Sequence, residues 1–157
     1  MRTIRRVVTG HDGQGRSQVL LDEERPLQPA MRPGVSSALM WWTASSPADN
    51  DGDADAGQEG VATMVDGGTV FRVVRYEPGV APRPHRTSSI DYALVISGEI
   101  DLELEEGVVQ LKAGDVLVQR GTWHNWIVRG EEAAVVAFVL IAAEPVKVGR
   151  RTLGAAG

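Results

Sequence analysis

The chain contains no cysteine in its 157 residues. That excludes disulfides, thiolate zinc sites and cysteine nucleophiles, and it is compatible with a reducing compartment. Positive charge is also short. Sixteen Lys and Arg stand against 21 Asp and Glu, for a net charge of −5. A phosphate backbone needs a basic stripe, so no nucleic-acid partner is expected. No basic amphipathic segment suggests a membrane surface. Long apolar runs are missing too. The longest, Ala133 to Ala143, falls well below the roughly 20 residues that span a bilayer. The N-terminal residues carry arginines but no apolar stretch of signal-peptide type. A soluble cytoplasmic protein is the expectation. Aromatics are few, at 5%, no segment shows a convincing 3.6-residue periodicity, and no internal repeat is present.

What is present is β-prone sequence punctuated by turn residues. Residues 4–9 and 17–22 flank Gly10-His11-Asp12-Gly13-Gln14-Gly15 and read as a hairpin. Pro26, Pro29 and Pro33 make residues 25–36 an extended crossing segment. Leu39–Thr43 reads as a short strand, with one of Trp41 and Trp42 turned inward. Residues 45–60 are polar, acidic and glycine-rich. The Asp51, Asp53, Asp55 spacing resembles a calcium loop but lacks its glycine and its final glutamate, so a mobile surface loop is expected. Strands follow at Thr69–Tyr76, Asp91–Ser97, Glu99–Glu105, Val108–Leu111, Val116–Gln119, Trp123–Val128 and Ala134–Ile141. In Glu99–Glu105, Ile100, Leu102 and Leu104 share one face, and Asp101, Glu103 and Glu105 share the other, the pattern of a half-buried antiparallel strand. Many short strands with frequent turns predict an all-β antiparallel sandwich or small barrel. The expected organisation is one domain over residues 1–145 and a frayed tail over 146–157.

Two stretches carry chemistry. Gly79–Gly98 holds His85 and, six positions later, Asp91; Gly114–Trp126 holds His124. Two imidazoles and a carboxylate on neighbouring strands point to a metal site or an acid/base site inside the barrel.

These residues resemble the two motifs of the cupins. Gly79, five residues, His85, one residue, Thr87, three residues, Asp91, six residues and Gly98 follow the first motif. Gly114-Asp115, Gln119-Arg120-Gly121, two residues and His124 follow the second, with Gln119 where the family has proline. The family's ligands are three histidines and a glutamate. Here Thr87 stands at the second-histidine position and Asp91 at that of the glutamate. The resemblance implies a double-stranded β-helix, or jelly-roll barrel, and a homodimer.

Three functional readings stay open. The first is a divalent metal (Fe, Mn, Ni or Zn) on His85, Asp91 and His124, supporting oxygenase, isomerase or decarboxylase chemistry on a small molecule. The second is a metal-free pocket in which His85 or His124 is the general acid/base and Asp91 orients an imidazole, for chemistry of the lactone, enol or dehydration kind. The third is a barrel that binds a small ligand without turning it over. Thr87, Tyr92 and Trp126 are the candidate substrate contacts, Trp126 being equally readable as core.

Overall fold

The computed structural model describes residues 2–58 and 60–157. Its strands are β1 (Thr3–His11), β2 (Ser17–Pro26), β3 (Gln28–Pro29), β4 (Val35–Thr43), β5 (Thr69–Tyr76), β6 (Ser89–Ser97), β7 (Glu99–Leu104), β8 (Gly107–Lys112), β9 (Val116–Arg120), β10 (His124–Ile127), β11 (Ala134–Ala142), β12 (Val146–Val148) and β13 (Arg151–Leu153). No helix occurs among the described residues, so none is long and apolar enough to cross a membrane.

Six strands make one sheet in the order β3-β4-β5-β11-β6-β9, and three make a second in the order β10-β7-β8. Every pairing is antiparallel. The inward residues of the two sheets close on each other. Val70, Val74, Val95, Val136 and Phe138 meet Ile100, Leu102, Trp126 and Val128 in the main core. Strand alternation produces this directly, since every second side chain points the same way. A smaller cluster of Leu27, Ala38, Met40, Val73 and Val135, with Ile4 packed against it, fills the other face of the large sheet under the N-terminal hairpin. The sheet is therefore apolar on both faces over part of its area.

Gly98 sets the turn between β6 and β7. Its φ is 78°, a left-handed value, and a Cβ there would lie 2.6 Å from the Ala133 carbonyl oxygen. Both facts demand glycine. The prolines behave as their chemistry requires: Pro26 ends β2, and Pro29 sits in β3, the edge of the large sheet.

Three expectations are corrected. Asp101 is not on a wet face. It is buried at 7% exposure and ion-paired to Arg129 at 2.7 Å, whereas Leu104, expected inside, is 37% exposed. The partner that makes an acid tolerable there comes from the loop after β10, which alternation within one strand cannot reveal. The C-terminal residues do not fray. β12 and β13 form a hairpin, and Ala156 pairs with Arg86 through backbone bonds of 2.8 and 3.0 Å. The acidic loop 45–60 is tethered. Asp55 takes two bonds, of 2.8 and 2.7 Å, from the buried Arg6 guanidinium, which holds its carboxyl below the usual carboxylate range. Glu59, within that loop, lies outside the described residues.

Candidate functional site

The segment that returns from β5 to β6 runs alongside β10. His85 and His124 pair across it, with backbone bonds of 3.0 Å and 2.9 Å in the two directions. Side chains of directly paired residues leave the sheet on the same side, and the ring centroids stand 4.3 Å apart at 50°. Each Nδ1 lies 2.9 Å from a backbone carbonyl, Arg83 for His85 and Thr122 for His124. A carbonyl can only accept, so both Nδ1 atoms carry the hydrogen and donate it. In the neutral rings both Nε2 atoms then present lone pairs.

Asp91 is buried at 5% exposure in β6. Its Oδ2 accepts from Gln119 Nε2 at 2.9 Å, and its Oδ1 lies 2.5 Å from Ser89 Oγ. Ser89 Oγ also lies 2.8 Å from Thr87 Oγ1. A serine has one hydrogen, so when Asp91 is ionised Ser89 donates to it and accepts from Thr87. Gln119 Nε2 also approaches His124 Nε2, at 3.4 Å. One polar chain thus runs Thr87, Ser89, Asp91, Gln119, His124. Gln119 is buried, and its Oε1 has no partner among the described residues.

Burial controls the charges. It pushes His124 down to about 4, with His85 and Arg83 adding repulsion against the Nδ1 bond to Thr122, which works the other way. Burial likewise lowers His85, again opposed by its carbonyl bond. Asp91 is raised by burial, partly offset by the bond from Ser89. All three shifts favour the neutral form, as desolvation dictates.

Tested as a three-ligand metal centre, the expected set does not assemble. Among the described residues, no three His, Asp or Glu side chains come together in a way that would hold an ion. The two imidazoles converge, but Asp91 is committed to Ser89 and Gln119, and the Gln119 amide stands between it and His124. Shortening glutamate to aspartate leaves the carboxylate within reach of its own strand and of Gln119. The other expected contacts divide. The Thr87 hydroxyl joins the polar chain. Tyr92, expected in the pocket, is 51% exposed, because it follows inward-facing Asp91 and must point out. Trp126 is buried in the core, edge-on to Phe138 at 5.4 Å.

Gln119 and Ser89 were not singled out from the sequence. Their signal was parity: Ser89 shares a strand face with Asp91, and Gln119 lies directly across from Asp91 in the β6–β9 pairing. Two surface clefts, of about 420 and 780 Å³, lie elsewhere, beside Asp101 and Arg129 and between the N-terminal hairpin and the acidic loop.

Comparison with known proteins agrees with the fold. Residues 72–141 match the cupin domain family. The chain is 38% identical to phomopsin biosynthesis cluster protein D of Diaporthe leptostromiformis, over 98% of this chain and 86% of that one. It is 34% identical to a cupin-domain-containing oxidoreductase of Aspergillus ruber, over 78% of this chain and 63% of that one. Among solved structures, a double-stranded β-helix protein of Klebsiella pneumoniae superposes with a TM-score of 0.54 at 20% identity, covering 83% of this chain and 88% of that one. The cupin domain of Schizosaccharomyces pombe Cnp3 gives 0.51 at 15% identity, covering 90% and 85%. At those identities the likeness is one of fold.

Proposed function

Since the chain belongs to the cupin family, we propose that it is a small-molecule enzyme whose reaction centre is the His85–His124 pair, acting through neutral imidazoles as proton acceptors. The observation that carries this reading is the locking of both Nδ1–H groups on backbone carbonyls, which leaves Nε2 of each ring as the acceptor atom, that of His85 for substrate and that of His124 facing the Gln119 amide at 3.4 Å. His85 is the less buried of the two and is the proton acceptor. His124 lies deeper, its Nε2 against the Gln119 amide, and supports the His85 ring beside it. Asp91, held by Ser89 and Gln119, keeps the Gln119 amide against His124. A proton taken from a substrate C–H or O–H and returned at a second atom of the same molecule gives isomerisation; taken from water, with hydroxide adding to a lactone carbonyl and the proton passing to the departing ring oxygen, it gives lactone opening; taken from a C–H and passed to a departing hydroxyl that leaves as water, it gives dehydration.

A second reading has support of its own. The relative from Aspergillus ruber carries the name oxidoreductase, and imidazoles held by their second nitrogen are also how metal-bound histidines are oriented. Metal analysis of protein purified without chelator separates the two. The proton-acceptor reading expects substoichiometric metal that His124→Ala does not change. One Fe, Mn, Ni or Zn per chain, lost in His124→Ala, would replace it with a metal-dependent reaction.

The homodimer implied by the family resemblance remains a proposal. It is supported by the outward pairs Tyr92–Val118 and Leu94–Val116 of β6 and β9, all of them exposed. Light scattering should give twice the chain mass, and Val118→Asp should halve it.

A further inference from the structure

Gln119 is buried at 4% exposure in β9, directly across from Asp91 of β6. Its amide is used at one end only. Nε2 lies 2.9 Å from Asp91 Oδ2 and 3.4 Å from His124 Nε2. Oε1 is buried and has no partner among the described residues. A buried acceptor without a donor is costly, so the nitrogen end must hold the amide this way round.

The hydrogens account for it. His124 Nδ1 gives its hydrogen to the Thr122 carbonyl, which makes Nε2 an acceptor. The ionised Asp91 carboxylate also only accepts. A primary amide nitrogen carries two hydrogens, one for each of these atoms. Turned over, the amide would set Oε1 against the carboxylate oxygen and the imidazole lone pair, three acceptors with no hydrogen among them.

The amide nitrogen therefore stands where a divalent ion would stand. Asp91 Oδ2 and His124 Nε2 belong to two of the three residues of the expected metal set, and the ring of the third, His85, lies 4.3 Å from that of His124. An ion would bind these atoms through the same lone pairs, at about 2.0–2.2 Å. Here both lone pairs face Gln119. Among the described residues no cation pairs with Asp91; its bonds come from Ser89 and Gln119. Buried carboxylates are ordinarily answered by a charge, a metal or hydrogen bonds, and this one has only the last.

We infer that Gln119 is the residue that keeps this centre free of metal. Its amide nitrogen takes the place of the ion, bridging Asp91 and His124, and removing it opens a site for one divalent cation on His124, Asp91 and His85. This deepens the proton-acceptor reading, on whose metal-free centre it rests. It assigns to one side chain of β9 the choice between hydrogen-bond and metal chemistry at the imidazole pair.

The probe is Co²⁺, added to the untagged full chain and followed by calorimetry and visible absorption. The native chain is expected to hold no stoichiometric Co²⁺. Gln119→Ala removes the amide and leaves its place vacant. It is expected to bind one Co²⁺ per chain at least about tenfold more tightly than the native protein, the scale on which a group beside metal ligands changes affinity. Adding Asp91→Asn or His124→Gln to Gln119→Ala should abolish the gain. No gain in folded Gln119→Ala, or a gain that survives both added changes, overturns the inference and leaves the proton-acceptor reading standing. Stoichiometric Co²⁺ on His124 of the native chain overturns both. Long-range proton–nitrogen spectra that place the His85 hydrogen on Nε2 remove the proton-acceptor reading alone. If Gln119→Ala does not fold, the native chain carries the test. The Gln119 side-chain N–H hydrogens should exchange slowly and show a nuclear Overhauser contact to His124 Cε1–H; fast exchange without that contact overturns the inference.

Discussion

Acid should loosen this protein through one histidine. His124 is 3% exposed, and burial is the main cause that takes its pKa from 6.5 to about 4. The folded state therefore binds fewer protons than the unfolded chain at every pH between those values, and stability falls as pH drops through that window. The full difference, about 2.5 units at 1.36 kcal/mol each, is about 3 kcal/mol. Roughly 2 kcal/mol of it is lost between about pH 7 and pH 5. Asp91 acts in the opposite sense. Its carboxyl is raised in the folded state, so its contribution is present at low pH and lost as pH rises through the raised value, and the net loss on acidification is smaller than the histidine term alone. The assay is urea unfolding from pH 7 to pH 4 for the native chain and for His124→Gln. The variant starts less stable, but its pH slope should be flatter by about 2 kcal/mol between about pH 7 and pH 5. An imidazole Cε1–H signal of His124 titrating near 6.5, or parallel slopes in the two proteins, would refute the argument.

Other outcomes follow from single contacts. Gln119→Leu removes the donor to Asp91 Oδ2 and should raise the Asp91 carboxyl further, costing about 2 kcal/mol at neutral pH; carboxyl carbon NMR and denaturation read both. Gly98→Ala places a Cβ 2.6 Å from a backbone oxygen at a left-handed φ and should cost at least about 2 kcal/mol, seen as a lowered urea midpoint with unchanged m-value. Arg6→Met strips the buried partner from Asp55 and Glu23 and should cost about 3 kcal/mol, with earlier proteolysis in residues 45–58.

Much of the barrel could be read from local pattern. Thr69–Tyr76 was bounded correctly at both ends, and Ala134–Ile141 to within one residue, because β-branched runs between glycines and charged turns leave few alternatives. The two motifs located His85 and His124, and the structure brings them together. Alternation also contained information the motifs concealed. Tyr92 must face out if Asp91 faces in, and Arg72 must face in if Val70 and Val74 do. Trp42 packing on the core while Trp41 stands beside Phe71 needed the bulge between β4 and β5 as well.

The sequence by itself determined most of the strands, the class of fold and the candidate pair of imidazoles, since these depend on side-chain period and on spacing along the chain. Only the tertiary structure decided what Asp91 touches, that Asp101 is buried against Arg129, and that the C-terminal residues form a hairpin and bridge to Arg86. Each of those depends on a partner far away in sequence. Distance along a chain carries no information about charge compensation across a barrel; that is fixed only when the sheets close and water is removed.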